Sequence, residues 1–332
     1  MSKTTVIIVG TGSIARCHLQ SMLQQTRTTD VVGLVEVSEK QRQATRDLYA
    51  ERKLPCPPFY ESIKELVAKQ GAADASFVCT PHSFHLENTR DSLLCGMDVL
   101  LEKPMVISTA EARRLIDFRD KTGRLVVVAF PGSLSPAVKK AKQLLAQGKI
   151  GRVSAISAYV HQGWKQGTTG TWRQDPAISG GGFLFDTGSH LINTVVDLIG
   201  EDIADVTALQ DNCGAPVEIR SSVSGRSRSG VLFSLTAAGD ALHFGSDILV
   251  FGTAGVLQTA SWGGHLNIKM AKDHDFKAVA LPKSLGVWGQ FMKVRAGQME
   301  NPCPPEIGLR FARLMDMIRK SAETGRTIRA GR

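Results

Sequence analysis

The sequence predicts two domains of different class, an α/β, doubly wound parallel sheet over residues 1–130 and an α+β domain over residues 131–332. Three observations carry this. Up to Phe130, short apolar runs alternate with helical stretches, the rhythm of parallel strands joined by crossover helices. From residue 203 to 270, strand-like runs succeed one another with only turn residues between them, which requires antiparallel pairing. Between the first apolar run and the first helical stretch stands Gly10-Thr11-Gly12-Ser13-Ile14-Ala15, a G-x-G-x-x-G/A turn.

In order, Thr5 to Val9 is a strand, followed by a helix to about Gln25 and a strand Val31 to Val35. Residues 39–49 are helical with Ser38 as N-cap. Leu54-Pro55-Cys56-Pro57-Pro58 holds three prolines and is a loop. A helix Ser62 to Gln70 leads to a buried strand, Ala75 to Cys79, which ends in Thr80-Pro81-His82-Ser83-Phe84-His85. Helix 85–95, strand Asp98 to Leu101, Glu102-Lys103-Pro104, a helix from about Thr109 to Lys121 and strand Leu125 to Phe130 complete the series.

Beyond Phe130 a helix, about Ser135 to Gln147, ends at Gly148, and Gly151 precedes a strand, Val153 to Val160. A glycine-rich stretch, 163–182, runs into Phe185-Asp186-Thr187-Gly188-Ser189-His190 and a helix to Ile199. Strands follow at 203–210, 217–224, 230–237, 243–250, 255–260 and 265–270. Pro302-Cys303-Pro304-Pro305 then breaks the chain before an amphipathic helix, Ile307 to Thr324.

The glycine turn lies between a strand and a helix, the context in which it binds a dinucleotide. Gly10 permits the tight turn, Gly12 lets backbone approach a pyrophosphate, and the first N–H groups of the helix, at Ser13 and Ile14, face that charge. Ala15 lets the helix lie close to the strand. Glu36 ends the second strand, where a carboxylate accepts from an adenosine ribose and repels a 2′-phosphate, so NAD(H) is expected over NADP(H).

Three further stretches carry chemistry. Lys103, with Glu102 and Pro104, stands at the carboxyl end of a strand, where ligands of such sheets gather. Pro104 restricts the backbone there, and a cis bond is one form of that restriction. The plainer reading of Lys103 is a surface lysine. Asp186 and His190 are four apart and share a helix face, so the carboxylate can orient the imidazole and raise its basicity. Alternatively Asp186 is a helix cap and His190 a core histidine. Gly180-Gly181-Gly182 just before them is costly in chain entropy unless backbone must come close to something. Trp172-Arg173 offers a guanidinium for a hydroxyl or phosphate, or a structural ion pair.

Composition narrows the function. The net charge of +9 is spread along the chain without a basic block or interleaved aromatics, so no nucleic-acid partner is expected. No apolar run approaches membrane-spanning length. Val6 to Val9 is too short for the apolar core of a secretory signal and reads as the first strand. Six scattered cysteines without C-x-x-C pairs point to a reduced, cytoplasmic protein. His82 and His85 have no third ligand near them in sequence, so no metal is expected. His18, beside Cys17, reads as packing or surface.

Taken together these residues resemble the glucose–fructose oxidoreductase / inositol dehydrogenase / rhizopine catabolism (Gfo/Idh/MocA) family. The resemblance runs through Gly10 to Ala15, Glu36, Thr80-Pro81 with His85, Glu102-Lys103-Pro104, Gly148 to Gly151, Trp172-Arg173, Gly180-Gly181-Gly182 with Asp186 and His190, and Pro305 with Gly308-Leu309-Arg310. It implies an NAD-binding Rossmann domain at 1–130. It implies a substrate-binding and oligomerisation domain at 131–332, with a large, open, mostly antiparallel sheet that makes dimers or tetramers.

The resemblance also implies a dehydrogenase mechanism at a secondary alcohol of a sugar, cyclic polyol or glycoside. Lys103 would stabilise charge on the alcohol oxygen, and His190, steered by Asp186, would take its proton. Thr80, Pro81, His85, Glu102, Lys103 and Arg173 would border the cofactor. His161, Trp172 and Arg173 would line the sugar site with Lys103, Asp186 and His190, and Trp164 would either stack on a pyranose face or be a buried aromatic. Two departures bear on the substrate: Phe130-Pro131-Gly132-Ser133-Leu134-Ser135-Pro136 lacks the arginines many members carry there, and Asn193 stands where Asp is common. Two other functions fit the motifs less fully, glycoside cleavage by transient oxidation with bound NAD and non-catalytic dinucleotide sensing.

Overall fold

The computed structural model describes residues 3–331, so Met1, Ser2 and Arg332, the outermost residues of the two expected domains, lie outside it. The chain divides into two compact units. The first holds the chain up to Val106, Ala110–Ala129 and Trp288–Pro305, and the second holds Ile107–Thr109, Phe130–Val287 and the chain from Glu306. Trp288–Pro305, which the sequence reading places in the second domain, thus belongs to the first unit.

In the first unit, strands and helices alternate as β1 (Thr4–Val9), α1 (Ser13–Met22), β2 (Thr29–Val35), α2 (Glu39–Glu51), β3 (Phe59–Tyr60), α3 (Ile63–Gln70), β4 (Ala75–Val78), α4 (His85–Leu94), β5 (Asp98–Glu102), α5 (Thr109–Thr122) and β6 (Val126–Ala129). The strands form one sheet in the order β3-β2-β1-β4-β5-β6, every pair parallel. Strands β1, β4, β5 and β6 are mostly apolar and buried along nearly their whole length, as a sheet covered by crossover helices requires. Strand order reverses between β1 and β4, so the crevice for a ligand opens at their carboxyl ends. Ser62 caps α3 by accepting from Glu65 N. Ser38 holds the N-cap position of α2 without a side-chain cap bond.

The returning segment finishes this unit. Asn301 Nδ2 donates to Val126 O and Cys303 O accepts from Val128 N, which occupies the outer edge of β6. Trp288 Nε1 donates to Thr29 Oγ1 at 2.8 Å, and Arg295 Nε donates to Asp98 Oδ2 at 2.8 Å.

In the second unit come α6 (Pro131–Leu134), α7 (Pro136–Ala146), β7 (Val153–His161), α8 (Trp164–Thr168), α9 (Pro176–Ser179), α10 (Phe183–Asp186) and α11 (Gly188–Ile199). They are followed by β8 (Ile203–Asp211), β9 (Arg220–Ser227), β10 (Leu232–Ala238), β11 (Gly245–Gly252), β12 (Gly255–Thr259), β13 (Leu266–Met270) and β14 (Lys277–Ala278). The helix α12 (Gly286–Arg295) crosses into the first unit, and α13 (Pro305–Thr324) and β15 (Ile328–Arg329) complete the chain. The glycine-rich stretch therefore carries short helices, and α6, β3, β14 and β15 are elements too short to leave a period in the sequence.

The sheet runs β14-β13-β12-β11-β7-β10-β9-β8-β15. All neighbours are antiparallel except β7 and β10. One face is buried through Ile156, Ala158, Val160, Val223, Phe233 and Leu235, where α11 packs on β7 and β10. The other is open and presents Tyr159, Leu209 and Leu232 among serines and threonines. Among the described residues, no helix is long and apolar enough to cross a membrane.

Candidate active site

In the first unit, the glycine turn follows β1 at the point of strand reversal. Gly10 has φ +82°, and a Cβ there would stand 2.9 Å from Thr80 N. Gly12 differs: a Cβ added there meets nothing within 4 Å. No side chain caps α1, and its first turn carries no acidic residue, so the N–H groups of Ser13 and Ile14 stand at an uncapped, electropositive helix end. Open space before uncapped N–H groups fits a dinucleotide pyrophosphate.

Glu36 is at the end of β2, as expected, but its carboxylate organises the turn itself. Oε2 accepts from Thr11 N at 2.8 Å and from Thr11 Oγ1 at 3.3 Å, while Oε1 accepts from Val37 N at 3.0 Å and Ser38 N at 2.9 Å. Arg42 Nε donates to Glu36 O, and Arg16 Nη1 to Thr11 O. A ribose hydroxyl at Glu36 would share these lone pairs or displace a donor.

Glu102 and Lys103 end β5 on the same edge. Glu102 is 7 % exposed. Its Oε1 lies 2.7 Å from His18 Nε2, and its Oε2 accepts from Lys103 N at 3.1 Å. Burial pushes the carboxyl up, but the His18 hydrogen bond, the charges of His18 and Lys103 and the Lys103 N–H together hold it below its ordinary value. His18 is thus a partner of the lysine-bearing segment, where the sequence suggests only packing or surface. Lys103–Pro104 is a cis peptide bond.

His85 departs from the expectation that it borders the cofactor. It is 0 % exposed, with Nδ1 2.8 Å from Pro104 O and Nε2 2.8 Å from Thr80 O. It is a strut behind the edge, tying the Thr80–Pro81 turn to the segment of Lys103. Burial holds its pKa below the ordinary histidine value, although both carbonyls and the Glu102 charge favour the protonated ring. Thr80 and Pro81 are half-buried at the edge, and Thr80 Oγ1 accepts from Asn88 Nδ2.

In the second unit, Asp186 ends α10 and His190 lies in the first turn of α11, joined through Thr187 in helical conformation. Asp186 Oδ2 accepts from Trp164 Nε1 at 2.9 Å and from Arg173 Nε at 3.1 Å. Arg173 therefore makes the structural ion pair held open as its plainer reading, with its guanidinium 4.6 Å from the Trp172 ring centroid. Trp164 is the buried aromatic of its two readings: it is 4 % exposed, packs on Phe183 and donates to Asp186. His161 Nδ1 is 2.6 Å from His243 O, and its ring stacks on Tyr159. His190 is 8 % exposed and lies against Trp262, ring centroids 4.6 Å apart.

The three glycines before Asp186 do bring backbone close to something, and that something is protein. A Cβ on Gly182 would be 2.0 Å from Glu218 O, on Gly181 2.6 Å from Phe185 Cβ, and on Gly180 2.6 Å from Ile107 Cγ2. Glu218 completes the loop, its carboxylate accepting from Gly182 N at 2.6 Å and Phe185 N at 3.3 Å. Burial raises the Glu218 pKa despite these bonds and the nearby Arg319 charge. Arg319 Nη2 donates to Gly180 O and Nη1 to Ile107 O. Glu218, Trp262 and Arg319 leave no sequence motif, because each meets its partner only after the chain folds back. Among the described residues, no group of three or more His, Cys, Asp or Glu could hold a metal ion.

A doubly wound sheet with an uncapped glycine turn at its switch point defines a dinucleotide-binding protein. Residues 4–130 match the oxidoreductase family with an NAD-binding Rossmann fold, and residues 138–258 match the Gfo/Idh/MocA C-terminal domain. The chain belongs to the Gfo/Idh/MocA family of NAD-binding oxidoreductases. It is 27 % identical over 200 residues to oxidoreductase P35 of Formosa agariphila, covering 58 % of this chain and 60 % of that one. It is 26 % identical over 208 residues to a D-xylose 1-dehydrogenase [NADP(+)] of Haloarcula marismortui, covering 59 % and 56 %. The chain thus spans about three-fifths of the length of these curated relatives. The fold matches that of an aldose–aldose oxidoreductase from Caulobacter crescentus complexed with glycerol, TM-score 0.84 at 20 % identity over 99 % of this chain and 100 % of that one.

Proposed function

We propose that this protein is an NAD(H)-dependent oxidoreductase that moves hydride between nicotinamide and a secondary alcohol of a sugar, cyclic polyol or glycoside. The carrying observation is that the open, uncapped glycine turn and the lysine of Glu102-Lys103-Pro104 share one edge of one sheet. The sugar dehydrogenase among the relatives supports the substrate class.

The turn at Gly10–Ile14 would hold the pyrophosphate and Glu36 the ribose, and the nicotinamide supplies a hydride acceptor. Lys103 donates a hydrogen bond to the substrate oxygen and stabilises negative charge there. His190 takes the hydroxyl proton, with Asp186, itself held by Trp164 and Arg173, favouring the imidazolium that results. Glu36 favours NAD(H), since its carboxylate opposes a 2′-phosphate. NADH is expected to bind at least about tenfold more tightly than NADPH, and Glu36→Gln to narrow that gap.

The test is NADH absorbance with a panel of sugars, inositols and glycosides. Lys103→Ala should lower kcat by about 10²–10⁴-fold with little change in NADH affinity. Undiminished turnover by that variant overturns the reading. We further propose a cytoplasmic protein, supported by its six free cysteines. We also propose a homodimer or homotetramer through the sheet face that exposes Tyr159, Leu209 and Leu232. Light scattering at a monomer mass counts against that assembly.

A further inference from the structure

We infer that a cavity in the second unit is a subsite for an apolar, uncharged aglycone carried by the oxidised sugar. This inference rests on the reading above and names its substrate more narrowly, as a glycoside with an apolar aglycone.

The cavity holds about 370 Å³ and is walled by Pro131, Leu134, Pro136, Trp262, Leu281 and Val287. That volume lies within the range of small-molecule pockets, which run from about 300 to 1,000 Å³. Trp262, one of the lining residues, is also the residue whose ring His190 packs against, with centroids 4.6 Å apart. Phe244 meets the same indole edge-on, with centroids 5.2 Å apart. Trp262 therefore borders both the cavity and the imidazole proposed as base.

The wall chemistry selects the occupant. Among the described residues that line the cavity, none is charged, so it offers nothing to pair with a phosphate, a uronate or a nucleotide sugar. Only two hydroxyls of the described residues line it, and each oxygen already accepts one backbone bond. Ser135 Oγ accepts from Val138 N at 3.1 Å and caps α7, and Ser284 Oγ accepts from Gly286 N at 3.2 Å. A polyhydroxylated ring placed here would lose water from more hydroxyls than two serine side chains can bond. An aromatic or alkyl aglycone loses nothing of the kind and buries apolar area against proline, leucine and tryptophan.

The experiment compares methyl and phenyl glycosides of each sugar in the panel, with NADH absorbance giving KM and kcat. The phenyl glycoside is expected to show a KM at least tenfold lower at similar kcat, the signature of binding away from the reacting atoms. Gly264 lines the cavity, and a Cβ added there meets nothing within 4 Å. Gly264→Leu should therefore fill the space and raise the phenyl KM to that of the methyl glycoside, with the melting midpoint unchanged. Quenching of tryptophan fluorescence by 4-nitrophenyl β-glucoside, diminished in Trp262→Phe and in Gly264→Leu, reports binding without turnover. Equal KM values for methyl and phenyl substrates overturn the subsite and leave the dehydrogenase reading standing. Quenching that Gly264→Leu abolishes, with no turnover of any sugar, upholds the apolar site and overturns the dehydrogenase reading.

Discussion

Two glycine clusters mark this chain, and they do opposite things. Gly12, in the first unit, faces open space before an uncapped helix end. Gly180, Gly181 and Gly182, in the second, press against Ile107, Phe185 and Glu218. One cluster leaves open space, and the other lets the chain press against two side chains and, at Gly182, against backbone just ahead of Asp186 and His190. The same residue type, with the same missing Cβ, stands before open space in one place and permits packing in the other. Only the surroundings tell them apart.

The largest effect should come from Gly182→Ala. Its Cβ would stand 2.0 Å from a backbone oxygen, and neither side can yield without breaking the Phe183 N to Glu218 O bond. A loss of about 3 kcal/mol or more is expected in urea unfolding. Stability equal to the parent would mean that the triplet does not pack as described.

Trp164→Phe tests the support one layer further out. It keeps the buried ring but removes the N–H that Asp186 accepts, and should cost about 1–3 kcal/mol. The same variant should lower kcat if Asp186 works through its orientation. Gly12→Val should do the reverse of the triplet change, leaving the melting midpoint in place while weakening NADH binding about tenfold or more, read by calorimetry. Unchanged affinity would remove the contrast between the clusters.

The smallest effect is a pH dependence in which the two units pull in opposite directions. His85 has a folded pKa below its ordinary 6.5, so the unfolded chain takes up its proton first. Its contribution is complete above that value and is lost as pH falls below it, by at most about 1.4 kcal/mol per pH unit. Glu218 has a folded pKa above its ordinary 4.5, so the folded chain takes up its proton first, and stability rises as pH falls through the folded value. Urea midpoints measured between pH 7.5 and 4.5 should therefore drop more steeply on acidification in Glu218→Gln, which lacks the compensating gain. Parallel curves for parent and variant would refute this.

The regular elements were legible because their signals are local. Strands β1, β2, β4 and β5 are continuous apolar runs bounded by turns, and α13 carries a helical apolar period over Pro305–Thr324. The return of Trp288–Pro305 to the first unit was not legible, since nothing in that segment names Val126 or Val128 as its partner. Within the candidate site, Lys103, Asp186 and His190 could be picked out by motif. His85 was picked out as a cofactor contact and Trp164 as either a stacking or a buried ring, and both are buried supports.

Alternation, turn residues and spacing act between near neighbours, so the amino-acid sequence alone determined the two classes of sheet, the glycine turn and the residues fit for acid–base work. Tertiary structure decided which of those residues face a space and which face protein. That depends on groups such as Glu218, Trp262 and His18, which arrive from distant parts of the chain. Burial and hydrogen-bond partners exist only once those parts have met.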